Sequence, residues 1–322
     1  MAHEITDTDV VLYAQGTQVP WHGLAKEVDK NKTLCENAVE HGMDWTVSME
    51  QMFRVNKNGD RPMFLEVPNK YALVRSDTDF VLGASSGDYK IYPNMTGFAT
   101  LDNLVATGMA NPDTMGTLRG GGIVWGLLEI KVDNEEVVPG DAIKRYILFS
   151  WGHDGKRGIA LGYTDVRVLC SNTIHAAWSN ELSKLIRMAH RGNVAVNVDN
   201  VVKTMDLAAQ DFKATVEQYR KMSGTSINQL DLRNYVKTVL DLDEKADNKR
   251  ATNLIDHVAS LAHSGIGNSG IGDNVWGAFN SVTEYLTHHA GRNVDNRFSS
   301  LWFGRGASML KTAHSEAMKL VA

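Results

Sequence analysis

The feature that most constrains the fold is a change in the spacing of apolar residues near residue 197. Before it, apolar side chains mostly recur at every second position, as at Val47 and Met49. This spacing is typical of half-buried strands. After it they recur every three or four positions, as at Val201 and Met205, which is the spacing of amphipathic helices. The chain therefore belongs to the α+β class, with an antiparallel sheet in its first half and an all-helical C-terminal half.

Within the first half, turn signals divide the sequence into separate elements. The predicted order between residues 71 and 191 is strand, strand, helix, strand, strand, strand, helix. In chain order these elements cover 71–75, 79–84, 100–107, 123–132, 144–151, 159–170 and a long helix capped by Ser171 or Asn172 and ending before Gly192. We expect three regions: an N-terminal arm with a short helix and a first strand (1–60), an α+β core (61–192) and a helical region (193–322).

The short N-terminal helix has its own start signal. Thr33 is followed three residues later by Glu36, the pattern of a capping box. We expect this helix to run from there to about His41, with Gly42 ending it.

Composition narrows the class of protein. The chain has 322 residues, of which 43% are apolar and 22% are charged, close to the average of globular proteins. The longest apolar runs, such as 123–130, are too short to cross a bilayer. Two cysteines exclude a disulfide framework, and the N-terminus lacks the pattern of a secretory signal. We expect a cytoplasmic protein, in a bacterial host, without membrane contact.

No motif for catalysis stands out. The glycine-rich segment 265–272 precedes a helix, but it lacks the lysine of a phosphate-binding loop and does not follow a strand. Cys170 alternates with apolar residues, which favours a packed core thiol over a nucleophile. The histidines show no metal-ligand spacing. We therefore predict no catalytic residue, no metal and no cofactor, while an enzyme of an unrecognised type stays an alternative.

The second group of strands interleaves basic and aromatic residues. Cations neutralise phosphates and aromatic rings stack on bases, so this combination favours binding of single-stranded nucleic acid. Alternation places Tyr163 and Arg167 on one face, which we expect to be open. The other interpretation is a solvated sheet face with core aromatics, and the net charge of −5 favours neither. The candidate binding residues are Arg119, Lys144, Arg145, Trp151, Lys156, Arg157, Tyr163 and Arg167.

A second basic and aromatic cluster lies near the C-terminus. It combines three arginines with Phe298 and Trp302, and a contact between protomers explains it equally well. The arginines are Arg292, Arg297 and Arg305.

Several segments together resemble a family of phage and plasmid proteins known as a domain of unknown function. The resemblance runs over nearly the whole chain and implies an origin in a mobile element, but no activity. The segments are Met1-Ala2-His3-Glu4, Pro20-Trp21-His22-Gly23, 166–173, Trp276, 280–285 and 303–306.

The predicted element order is also similar to the core of single-strand annealing proteins of the RecT/Redβ type. That resemblance implies a groove beside the sheet for single-stranded DNA and assembly into rings or filaments. The resulting hypothesis is a homo-oligomeric protein that binds and anneals single strands in recombination or replication, without nucleotide hydrolysis. The alternative is a self-assembling structural or anti-defence protein that binds no nucleic acid.

Overall fold

The computed structural model places an extended sheet between two apolar layers. It describes residues 10–14, 26–29, 31–57, 62–133, 135–167, 172–176, 186–192, 194, 198–242, 249–266, 268, 271–291, 300–301 and 304–322. The strands are β1 (Val11–Ala14), β2 (Lys26–Val28), β3 (Val47–Asn56), β4 (Met63–Arg75), β5 (Val81–Ser85), β6 (Ala110–Leu118), β7 (Ile123–Ile130), β8 (Glu135–Glu136), β9 (Ala142–Gly152), β10 (Ile159–Arg167), β11 (Asn172–Ala176) and β12 (Ile186–Met188).

The helices follow the predicted division of the chain. Two precede residue 110 and the others fill the second half, where apolar residues at helical spacing, such as Phe212 and Val216, are buried as predicted. They are α1 (Leu34–Glu40), α2 (Asn94–Ala106), α3 (Val198–Gly224), α4 (Gln229–Leu240), α5 (Lys249–Ser264), α6 (Val275–Glu284) with a π-helical turn (Tyr285–His289), and α7 (Arg305–Val321). None of the helices in the described ranges is both long and apolar enough to cross a membrane.

The large sheet has the strand order β11-β10-β9-β7-β6-β1-β2, with β12 beside β10 and β8 beside β9. All of its pairings are antiparallel except β1 with β2. Along β9, Ile147 and Phe149 pack in one apolar cluster with α1 and α2, and Tyr146 and Leu148 pack in the other with α3 to α7. Since both faces of the sheet are covered, its central strands are nearly continuous apolar runs. The α+β class is confirmed.

The three central strands of the prediction and the N-terminal capping box are also confirmed. Thr33 accepts a hydrogen bond from the Glu36 amide, and the Glu36 carboxylate accepts one from the Thr33 amide. These two bonds satisfy donors that the first turn of α1 cannot pair internally.

The long helix predicted after Ser171 is wrong wherever the structure describes it. Asn172–Ala176 forms β11 and Ile186–Met188 forms β12, both antiparallel to β10. Ile174, Trp178 and Leu182 are spaced by four positions, which suggested a helix. The outer edge of β10, however, carries backbone groups that need partners, and β11 and β12 supply them. The central part of the predicted helix, with Trp178, Leu182 and Leu185, lies outside the described residues.

The predicted element order is wrong for a second reason. Residues 110–118 form β6, which lies between β7 and β1. More than three strands therefore separate α2 from α3. The order that carried the similarity to RecT/Redβ-type proteins is not the order of this fold.

A smaller sheet, β3-β4-β5, docks on one end of the large one. Its strand β4 is much longer than β5. At its far end, residues 53–56 of β3 pair with residues 63–66 of β4 alone, and we call this two-stranded extension the ribbon. A bulge separates the ribbon from the rest, and the Gln51 amide nitrogen donates to the Val67 carbonyl across it at 2.9 Å.

Candidate nucleic-acid interface

Of the eight predicted binding residues, Arg145 is the most deeply buried. Its side chain has no exposed surface, and its Nε and Nη2 atoms donate to the two Asp165 carboxylate oxygens at 2.6 and 2.7 Å. Arg145 on β9 lies directly opposite Asp165 on β10. The guanidinium is thus fully engaged within the sheet, and its predicted role in phosphate binding is wrong.

The same guanidinium ties the sheet to α3. Its Nη1 atom lies 3.4 Å from an oxygen of Asp211 on α3, and the Tyr163 hydroxyl donates to that oxygen at 3.1 Å. The guanidinium carbon stands 4.3 Å from the ring centre of Tyr163 and 5.0 Å from that of Phe212. Burial acts most strongly and lowers the pKa of Arg145, but the charge and hydrogen bonds of Asp165, together with Tyr163 and Tyr219, outweigh it, so the pKa is raised. A buried ion pair of this kind is a structural contact.

Two of the predicted aromatic residues are also core residues. Tyr163 is buried beneath α3 with Arg145. Trp151 is fully buried, and its Nε1 atom donates to the Asn94 side-chain oxygen at 3.1 Å. Its ring packs so closely on α2 that a Cβ atom at Gly97 would lie 2.4 Å from it. Neither ring offers a face to a base, so the expectation of an open face with Tyr163 is wrong.

The tip of the hairpin between β9 and β10 is a turn that the Asp154 side chain stabilises. One oxygen of the Asp154 carboxylate accepts from the backbone amides of Lys156 and Arg157, both at 2.9 Å. The other oxygen pairs with the Arg157 guanidinium. Such a side chain mimics the backbone of a tight turn and fixes its shape. Arg157 is therefore partly committed to the turn.

The hairpin tip rests on the small sheet. Gly155 has a φ of +71°, and a Cβ atom there would lie 2.1 Å from the Ala84 carbonyl oxygen. A Cβ atom at Gly83 would lie 2.2 Å from the Asp154 carbonyl oxygen. Only glycine permits this approach of two backbones. The tip is therefore seated on β5.

Two of the predicted cations are exposed near this tip. Lys156 is exposed, and its ammonium makes no hydrogen bond or ion pair with any residue that the structure describes. Arg119 is exposed in the turn before β7, with a φ of +59°. A Cβ atom at Gly122 would lie within 3.6 Å of the Arg119 Cβ and 3.8 Å of the Asp154 Cβ. Arg119 and the hairpin therefore share one surface.

The remaining two cations lie elsewhere on the sheet. Lys144 is half-buried at the opposite end of β9, where its ammonium pairs with Glu129 at 2.9 Å. Arg167 lies on β10 opposite Ile143 and Asn172. The structure therefore brings Arg119, Lys156 and Arg157 together and leaves Lys144 and Arg167 apart from them.

An open pocket of about 380 Å³ lies against this hairpin. Its floor includes Ile123, Ser150 and Ala160, which are on three neighbouring strands of the sheet. It is also lined by Lys156 and Arg157 of the hairpin and by Met188 and Ala189. The pocket thus combines apolar and polar lining residues with the cationic side chains of Lys156 and Arg157.

Behind the hairpin, His153 is held in one state. Its Nε2 atom lies 2.8 Å from the Asn94 side-chain oxygen. Because the Asn94 nitrogen donates to the Met43 and Trp45 carbonyls, that oxygen accepts and Nε2 carries the proton. Burial lowers the pKa of His153 to about 3, and His190 acts in the same direction. His153 is thus neutral and structural.

The C-terminal cluster of arginines is only partly placed. Arg305 begins α7, whereas Arg292, Arg297, Phe298 and Trp302 lie outside the described residues, as does Cys170.

A sequence signal for the Arg145 pairing was present. A hairpin centred on Gly155 pairs positions whose numbers are equally distant from it, and this places Arg145 opposite Asp165. Opposite charges at directly opposed positions stabilise an antiparallel pair. The burial of Arg145 and Asp165 depends on α3, and the pairing of β9 with β10 does not predict it.

Comparison with known proteins identifies one family. A family model described as a domain of unknown function, DUF932, matches residues 81–302, from β5 into the segment before α7. Among curated proteins and among solved structures, no significant match to the chain was found.

Proposed function

The chain belongs to the DUF932 family, and from this premise we propose that it is a single-stranded nucleic-acid-binding protein of a mobile element. The observation that carries the proposal is the cationic edge of the pocket, where Lys156 has no partner among the described residues and Arg119 lies beside the same hairpin. We propose that it acts as a homo-oligomer, in annealing during recombination or replication, without nucleotide hydrolysis.

The arrangement of the hairpin supports this function through electrostatics. Lys156 can neutralise a phosphate without breaking an internal ion pair. Binding then costs the desolvation of the ammonium but not the loss of another contact as well. The seat of the tip on β5 holds the ammonium near the pocket without further ordering of the chain.

The pocket supports a preference for single strands. Its volume of about 380 Å³ falls in the range of sites for small molecules. A base can enter such a site only when it is unstacked and unpaired, which costs least in a single strand.

The test is fluorescence anisotropy with a labelled single-stranded oligonucleotide and its duplex across a range of salt concentrations. We expect tighter binding of the single strand, with log affinity falling by about 0.7 per phosphate contact for each unit of log salt. Absence of binding at micromolar protein in low salt would remove the proposal.

A single substitution tests the placement of the site. Lys156→Glu should weaken binding and reduce the salt slope, because one phosphate contact is lost. Lys203→Glu is the matched control, since Lys203 is an exposed lysine of α3 and the change in charge is the same. Arg157→Glu would be a less specific test, because the new glutamate would face the Asp154 carboxylate.

Assembly into a homo-oligomer is expected under the proposed function and also under its alternative, a self-assembling structural or anti-defence protein. Among the described strands the small sheet ends at β3 and β5, and such edges offer backbone groups to another chain. Light scattering coupled to gel filtration should give a mass well above 35.5 kDa. An oligomer that binds no oligonucleotide would favour a self-assembling structural or anti-defence protein.

A further inference from the structure

The ribbon exposes apolar side chains that its fold does not cover. Phe64 is 72% exposed and Phe53 is 56% exposed, and Val55 and Met63 are also exposed. Val55 lies directly opposite Phe64, and Phe53 lies opposite Glu66 two positions further on, so the two phenyl rings share one face. A two-stranded ribbon with uncovered aromatics has no core of its own, and such surfaces mark binding sites.

Three cations lie on the ribbon and at its two flanks, and none of them has a partner among the described residues. By alternation Arg54, between Phe53 and Val55, lies on the face opposite the two rings. Lys57 follows the end of β3, and Lys70 lies beyond the ribbon on β4. All three are exposed, and none of their side chains makes a hydrogen bond or ion pair with a described residue. Over residues 53–57 and 62–70, Glu66 is the one carboxylate against these three cations.

We propose that the ribbon is a stacking surface for unpaired bases of a nucleic-acid strand, with Phe53 and Phe64 as the platforms and the flanking cations as phosphate contacts. This inference rests on the proposed function and adds a second contact to the one at the hairpin. Aromatic faces supplemented by basic side chains are the usual means of binding single strands without sequence preference.

The charge of the ribbon favours nucleic acid over a second copy of the chain. A contact between two copies through the ribbon and its flanks, residues 53–57 and 62–70, would bring three cations of each copy together with a single carboxylate of each. Cores of protein interfaces are depleted of charge, whereas sites for single strands combine cations with aromatics.

The ribbon and the hairpin belong to one connected structure. The hairpin tip rests on Gly83 and Ala84 of β5, which pair with Leu73 and Ala72 of β4. The ribbon continues the same strand β4. At about 3.3 Å per residue, Phe64 lies within about 30 Å of this seat, so one strand of several nucleotides can reach both.

The experiment compares variants of the full chain by anisotropy with a labelled oligothymidylate. Replacing both rings (Phe53→Ala with Phe64→Ala) should weaken binding by about fivefold or more for each stacked base lost, with the salt slope unchanged. Replacing both cations (Arg54→Gln with Lys57→Gln) should instead lower the slope by about 0.7 per contact. Phe64→Tyr should bind like the wild type because it keeps the ring.

Phe80→Ala is the matched control for the ring variants. Phe80 is 54% exposed just before β5, at the opposite end of the small sheet from the ribbon. Its replacement should leave binding unchanged.

Four outcomes separate the hypotheses. Loss of affinity in the ring variant, with an unchanged oligomeric mass, supports the inference. If the ring variant binds like the wild type while Lys156→Glu does not, the ribbon inference is overturned and the proposed function stands. If the ring variant loses oligomeric mass together with binding, the ribbon is a contact between copies and the inference is overturned. If the wild type binds no oligonucleotide, both proposals are overturned.

Discussion

Two regions of this molecule combine cations with aromatic rings on β-strands, and their environments are opposite. On β9 and β10, Arg145 and Tyr163 lie between the sheet and α3, and the guanidinium is bound to Asp165. On the ribbon, Arg54 and Phe64 are exposed and Arg54 has no partner among the described residues. The two regions have similar residue types, so composition alone cannot separate a structural group from a binding surface.

The difference lies in the number of layers over each strand. Strands β9 and β10 are central strands covered on both faces, so a polar side chain there must find an internal partner. The ribbon has two strands, and no described element of the chain covers either of its faces, so its charges need no internal partner. A carboxylate opposite a cation, as in the pair of Asp165 with Arg145, marks the structural group.

The largest expected difference between the regions is in stability. Arg145→Met should lower the free energy of unfolding by about 3–5 kcal/mol, because the fully buried Asp165 loses its ionic partner. Urea denaturation followed by circular dichroism measures this loss. Replacing both members (Arg145→Met with Asp165→Leu) should recover much of it. A loss below about 1 kcal/mol for the single variant would show that the buried pair does not hold α3 on the sheet.

A smaller effect is expected in the pH dependence of the free energy of unfolding, and it reports on the buried region around His153. The pKa of His153 is about 3 in the folded protein, against about 6.5 in an unfolded chain. Between these values the unfolded chain binds a proton that the folded protein does not, so stability is complete above pH 6.5 and falls as the pH is lowered. The loss should be about 2 kcal/mol by pH 5.

The groups that face His153 define the control for this experiment. They are Asn94, His190, Trp45 and Asp154, and burial lowers the pKa of His190 as well. His153→Gln should flatten the pH dependence of unfolding in this window and leave the contribution of His190. Identical pH profiles for variant and wild type would contradict the assignment.

The smallest expected effect is on the ribbon. Phe64→Ala and Arg54→Gln should each change the free energy of unfolding by no more than about 0.5 kcal/mol, since both side chains are exposed. Thermal denaturation measures this. A loss of several kcal/mol would mean that the ribbon is packed in solution, and the contrast with β9 and β10 would disappear.

Local patterns in the sequence predicted the elements that depend on local interactions. Apolar residues recur at helical spacing around Val216, around Leu232 and around Val258, and this pattern predicts three helices that the structure contains. Thr33 with Glu36 predicts the start of α1. These features depend on neighbours within one or two turns, so a single segment carries the information.

Elements that depend on distant partners were missed. Residues 110–118 contain Asn111, Pro112 and Gly116, which are poor strand formers, yet they form β6 between β7 and β1. Asn172–Ala176 forms β11 because β10 has an edge to pair. Pairing across the sheet overrides local preference in both cases.

The candidate site was predicted only in part for the same reason. The interleaving of basic and aromatic residues in the sequence singled out Lys156 and Arg119, whose exposure depends on turns that glycines mark. It could not show that α3 covers Arg145 and Tyr163, because the contact with Asp211 joins residues more than forty positions apart. Nor did it single out the ribbon, because an uncovered strand and a half-buried one share the same period of two.

The central claim is that nucleic acid binds at the exposed cations and rings and not at the buried group. The most direct measurement is ultraviolet crosslinking of the wild-type protein to a photoreactive single-stranded oligonucleotide, with the crosslinked residues identified by mass spectrometry. We predict crosslinks in the ribbon, at residues 53–57 and 62–66, and in the hairpin around Lys156. Crosslinks confined to other surfaces, or none under conditions that crosslink a known single-strand-binding protein, would contradict it.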